Sequence, residues 1–180
     1  MRHDAHLTEL QAWRASLLWF ADPALPKASH EDDGLLVTAR EADGIVRIQA
    51  LGAYRDLAPQ YPDLPVTHWP GLCIAPGFVD LHIHYPQTDV IGSPADGLLP
   101  WLEHYTFPHE RRFADPDVAT EAAQFFFDEL MHHGVTTALS FCTAHVASVD
   151  AFMAQAQARG LRMIGGKVLQ DQHSPEGLRD

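Results

Sequence analysis

Pro76-Gly77-Phe78-Val79-Asp80-Leu81-His82-Ile83-His84-Tyr85-Pro86-Gln87 is an apolar run that ends in two histidines and a proline. Side chains on a β-strand alternate faces, so His82 and His84 are expected on one face, roughly 6.6 Å apart along the strand. Leu81 and Ile83 are expected on the other face. Pro86 ends the strand, because proline has no amide hydrogen to give to a ladder. Neutral imidazole suits zinc or iron, and two imidazoles on one face can converge on a single ion. The chain holds 12 histidines in 180 residues, so a His-x-His pair by itself is weak evidence for a metal. Its setting adds weight. The pair follows Leu72-Cys73-Ile74-Ala75, which reads as a buried strand, and it precedes polar Gln87, Thr88 and Asp89.

Downstream of Leu72 the pattern alternates between strands and helices. Asp115 reads as an N-cap, Pro116 as the first helical residue and Asp117 as a first-turn acid. Ala119, Ala122, Phe126 and Leu130 form an apolar stripe at helical spacing, expected to face a core, and Gly134 closes the helix. Residues 135–141 read as a strand, residues 148–159 as a helix closed by Gly160, and residues 161–169 as a further strand. Strands alternating with helices imply a parallel sheet, hence an α/β fold.

Upstream, residues 1–12 read as a frayed start and residues 13–20 as a strand. Residues 22–26 read as a loop, His30-Glu31-Asp32-Asp33-Gly34 as a turn, and residues 35–39 as a strand. Asp43-Gly44 signals a two-residue hairpin turn, with residues 45–48 as the return strand. Residues 54–65 carry three prolines and read as connection. The expected organisation is a β-rich unit over residues 1–70, then βα units over residues 71–180.

The net charge is −12, from 12 basic and 24 acidic residues, and no Lys/Arg-rich run occurs. That argues against a nucleic-acid partner. Cys73 and Cys142 lie in apolar runs and are expected as buried small hydrophobes. No Cys-x-x-Cys occurs, which excludes a cysteine zinc site of that kind. No signal-peptide pattern or membrane-length apolar segment is found, so the expected location is cytoplasmic, with no membrane partner.

The opening stretch resembles the amidohydrolase superfamily, in which Pro-Gly-(Phe/Leu)-(Val/Ile)-Asp-x-His-x-His ends the first barrel strand. His84-Tyr85-Pro86-Gln87-Thr88-Asp89, Leu98-Leu99-Pro100-Trp101-Leu102 and Tyr105-Thr106-Phe107-Pro108 are similar to the guanine deaminase family, with likeness from about Arg14 onward. The resemblance implies the start of a (β/α)8 TIM-type barrel preceded by a small antiparallel β-sandwich subdomain. It implies one zinc ion per site held in part by His82 and His84, with purine contacts from His84, Tyr85, Pro86 and Gln87. The implied reaction is hydrolysis of guanine to xanthine and ammonia, and the implied assembly is a homodimer. The family's proton-shuttling glutamate and remaining metal ligands come from later strands that no segment here matches. A (β/α)8 barrel needs about 250 residues, which leaves room here for roughly three of its units, so an N-terminal portion of a longer enzyme is expected. The alternatives are a related hydrolase acting on another heterocyclic amine or chloride, or an inactive fragment.

Other candidates carry two readings each. His145, just past the second strand of the βα pattern, could line the pocket or cap a helix. Trp101, Tyr105 and Phe107 could cover a planar base or pack their own loop. Lys167 reads as structural within a strand, and His132-His133 as a solvated helix end.

Overall fold

Residues 9–22, 24–25 and 27–179 are described by the computed structural model, and the chain divides into two units, Met1–Pro76 and Gly77–Asp180. Most of the expected frayed start, together with Pro23 and Pro26 of the expected loop, lies outside the described residues. The part of that start inside them is already strand.

The first unit holds β1 (Glu9–Trp19), β2 (Ser29–Arg40), β3 (Val46–Ala53) and β4 (Val66–Ile74), in the sheet order β3-β2-β1-β4. The β1–β2 and β2–β3 pairs are antiparallel. β4 instead runs parallel to β1, so among the described residues the unit is one mixed sheet rather than an antiparallel sandwich. A parallel pair needs a crossover, and the segment expected to be plain connection supplies it. Helix α1 (Tyr54–Leu57) and a 3-10 turn at Ala58–Gln60 fold there. Tyr54, Leu57, Ala58, Tyr61 and Leu64 pack on buried Ala12, Leu35 and Val37. Leu72-Cys73-Ile74 is strand, as expected, but it belongs to this sheet and is not buried: Leu72 and Cys73 are exposed.

The expected turn at residues 30–34 is part of β2. Cross-strand bonds hold its polar residues in the ladder. The Arg14 guanidinium forks onto both Asp33 carboxylate oxygens at 2.6 and 2.7 Å, and Ser16 Oγ bonds the His30 ring at 3.0 Å. Gly34 serves close approach instead of a turn, since a Cβ there would lie 2.3 Å from Leu17 Cγ. The hairpin loop spans residues 41–45, because the β2–β3 ladder closes at Arg40 and Val46. Asp43 Oδ1 accepts the Ile45 N–H at 2.9 Å within that loop.

The second unit contains β5 (Phe78–His84), β6 (Val135–Phe141) and β7 (Arg162–Gly166), all parallel, in the order β5-β6-β7. This is an open α/β sheet with β5 and β7 at its edges. Between β5 and the first long helix the chain is largely helical rather than the expected loop. It contains a 3-10 segment at Tyr85–Val90, α2 (Leu98–Trp101), a π-helical turn at Leu102–Thr106, α3 (Phe107–Glu110) and a 3-10 turn at Arg111–Ala114. Helix α4 (Pro116–His132) starts as the sequence predicts, with the Asp115 side chain accepting the Asp117 N–H. His133 caps it in solvent beside Glu129, as expected. Helix α5 (Val146–Arg159) begins two residues before its expected start at Ser148, because His145 is extended and its carbonyl accepts the Ser148 N–H. β7 is shorter than expected, which leaves Lys167 beyond it.

Helices α4 and α5 bury Phe126, Phe127, Leu130 and Phe152 against Ala138 of β6, with the Phe127 and Phe152 ring centroids 5.1 Å apart. This face is the core of the second unit, and the strand ends beside it carry the candidate site.

Gly34→Ala is expected to lower the unfolding free energy by about 1–3 kcal/mol, since Leu17 is fully buried and must shift; urea unfolding measures it. The two thiols should also separate. Cys142 is buried and burial pushes its thiol up to about 12, whereas Cys73 is exposed. A thiol reagent at mildly alkaline pH should therefore modify Cys73 alone in the native chain and both cysteines in denaturant.

Candidate metal and purine site

Two local features place the histidines. Gly77, entering β5, lies against β6 so closely that a Cβ would sit 2.1 Å from Thr136 Oγ1, and the Phe78 N–H donates to the Gly134 carbonyl at 2.8 Å. Farther along, the ladder pairs Asp80 with Ala138 and Ile83 with Ser140, so β5 carries one more residue than β6 across that interval. The irregularity falls on Leu81 and His82, and the Asp80 carboxylate takes the His82 N–H at 2.9 Å. Bulges of this kind re-aim side chains near active sites.

The His82 and His84 rings stand edge to face with centroids 5.2 Å apart. Phe141, at the end of β6, contacts both, at 5.0 Å from His82 and stacked at 4.6 Å on His84. His84 is half-buried, and burial, with a smaller contribution from neighbouring His82, lowers its pKa below the ordinary histidine value. Two adjacent imidazoles fit as part of a zinc ligand set. Among the described residues, no group of three or more His, Cys, Asp or Glu is placed to hold a metal ion.

Gln87 lies next to this pair. Its amide nitrogen is 3.2 Å from His84 Nδ1 and donates to Glu110 Oε1, also at 3.2 Å. Glu110 is only 8% exposed, and burial raises its carboxyl above the ordinary range, partly opposed by the Gln87 hydrogen bond. The sequence offers no periodicity or motif that singles out Glu110. Only the fold brings it to Gln87.

The remaining candidates fall elsewhere. Tyr85 and Pro86, expected to contact a purine, have fully buried side chains instead. The Tyr85 ring packs among Phe113, Phe126 and Phe152. Its hydroxyl donates to the Ser148 carbonyl at 2.6 Å and lies 2.8 Å from Ser148 Oγ. Burial holds this phenol above its ordinary pKa, so it is a neutral anchor within the core. Tyr85 opens the 3-10 segment just past β5, and its ring lies on the helix-covered side. His145 is tied to Thr143, at 3.0 Å, and to the Gly177 carbonyl, at 2.8 Å, and caps α5 through its backbone. Trp101 ends α2, and no hydrogen bond or ring contact joins it to His82, His84 or Gln87 among the described residues.

The amidohydrolase family matches residues 73–179. The guanine deaminase of Escherichia coli (strain K12) is 41% identical over 150 residues, 83% of this chain and 33% of that protein. The solved E. coli guanine deaminase superposes with a TM-score of 0.81 at 35% identity, over 96% of this chain and 39% of that one. The guanine deaminase from C. acetobutylicum, solved with guanine bound in its active site, superposes with a TM-score of 0.80 at 26% identity, over 96% of this chain and 39% of that one. The chain thus spans a third or slightly more of the length of these relatives.

Tyr85→Phe is expected to cost about 1–3 kcal/mol of stability by removing the hydroxyl's two buried hydrogen bonds to Ser148, measured by thermal or urea unfolding.

Proposed function

The chain belongs to the amidohydrolase family, and from that premise we propose that it contributes the metal-and-purine half of a guanine deaminase site. The observation that carries this reading is the cluster at the end of β5: His82 beside His84, with Gln87 against the His84 ring. His82 and His84 would hold a zinc ion as two of its ligands. Bound zinc supplies Lewis-acid activation of water near neutral pH. The chain's own residues do the rest of the work here. Phe141 backs both rings and fixes their planes. Gln87, next to the metal pair, offers an amide to a heterocycle and orients it toward the activated water. Buried Tyr85 and Pro86 hold the backbone from which Gln87 projects.

The reaction is addition of water at the amine-bearing ring carbon of guanine and loss of that amine as ammonia, leaving xanthine. Similarity to the E. coli guanine deaminase at 41% identity supports the substrate. So does the guanine bound in the active site of the C. acetobutylicum relative. Among the described residues, no helix is long and apolar enough to cross a membrane.

The test is ammonia and xanthine formation from guanine by the full-length protein. A zinc chelator should abolish turnover and added zinc should restore it. His82→Ala and His84→Ala should each cost more than the about 10–100-fold typical of losing an outer-shell partner of a metal. Turnover that is indifferent to both substitutions would overturn the metal assignment, and turnover of another heterocycle in place of guanine would overturn the substrate.

A further inference from the structure

We propose that Glu110 is a positioning residue that sets the orientation of the Gln87 side-chain amide and so decides which purine edge Gln87 can read. The inference rests on the reading of Gln87 as a purine contact.

Glu110 ends α3, twenty-three residues beyond Gln87, and is buried. A buried carboxyl is costly, and an apolar side chain of similar size is often neutral or stabilising in its place. A carboxyl retained there is therefore better explained by what it bonds than by stability. What it bonds is the Gln87 amide nitrogen, at 3.2 Å. An amide has a donor end and an acceptor end, and a carboxylate only accepts. Glu110 thus holds the nitrogen on its own side and turns the carbonyl oxygen the other way. In that orientation Gln87 offers an acceptor to the purine. Guanine presents ring N–H and exocyclic NH2 donors to such an acceptor, while a purine edge with only acceptors is rejected. Without Glu110 the amide can rotate, and half of its orientations present the wrong end. The helical stretch over residues 98–114 then has a role at the site through Glu110, in addition to packing.

Three single variants and one double decide this: Glu110→Leu, Glu110→Gln, Gln87→Ala, and Glu110→Leu combined with Gln87→Ala. Two measurements are made. The first is the Gln87 side-chain NH2 resonance by 15N NMR in the full-length protein, which needs neither metal nor substrate. The second is KM for guanine in the full-length protein. Glu110→Leu should move the Gln87 resonance, raise KM by about tenfold, and leave the unfolding midpoint unchanged or higher. Glu110→Gln keeps a carbonyl acceptor and should recover most of the KM. In the Gln87→Ala background Glu110→Leu should cost nothing further, because the pair is already broken. An unmoved Gln87 resonance would overturn the proposal. So would an equal KM penalty with and without Gln87, or a loss of stability that accounts for the whole effect. A full-length protein that does not turn over guanine would instead sink the substrate reading, while the Gln87 resonance still judges the Glu110 contact.

Discussion

The hydroxyl of Tyr85 on Ser148 is the constraint on which the second unit's site depends. One residue earlier, His84 stands beside the His82 ring. At Tyr85 the chain turns inward, fills the space among Phe113, Phe126 and Phe152, and bonds the first turn of α5. Ser148 in turn accepts the Thr143 N–H through its Oγ, so the exits of β5 and β6 are joined through one serine. Two neighbouring strand ends thereby keep a fixed separation, with Phe141 held against both histidine rings. A fully buried polar contact in a low-dielectric core is strong where it is satisfied and costly where it is broken, which makes the turn after His84 rigid.

Much of this is legible in the sequence. The His-x-His spacing, the proline after it and the N-cap, proline and acid before α4 each have a local physical cause, and each is observed. Gln87 is picked out by its neighbours in the chain, and it lies beside His84. What the sequence does not disclose depends on contacts between distant segments. The bulge at Leu81 and His82 arises from the register against β6. The parallel placement of β4 follows from the packing of Tyr54 and Leu57 on the first sheet. Glu110 is an ordinary acid in sequence and acquires its setting only when α3 folds onto the 3-10 segment after β5.

Two departures from the sequence reading share one cause. Polar residues at 30–34 suggest a turn, and Tyr85 in a metal-site block suggests a ligand contact. In each case a partner elsewhere fixes the outcome: Arg14 keeps Asp33 in the ladder, and Ser148 draws the Tyr85 hydroxyl into the core. A polar group goes where its hydrogen bond can be made, and a single sequence seldom names that partner.

The central claim is that the end of β5 holds a zinc ion through His82 and His84, with a purine at Gln87. Anomalous diffraction at the zinc edge, from crystals of the full-length protein grown with guanine, tests it most directly. The account predicts a zinc peak about 2.0–2.1 Å from one ring nitrogen of each histidine, with the purine in hydrogen-bond reach of the Gln87 carbonyl oxygen. A zinc peak away from His82 and His84, or a purine bound out of reach of Gln87, would contradict it.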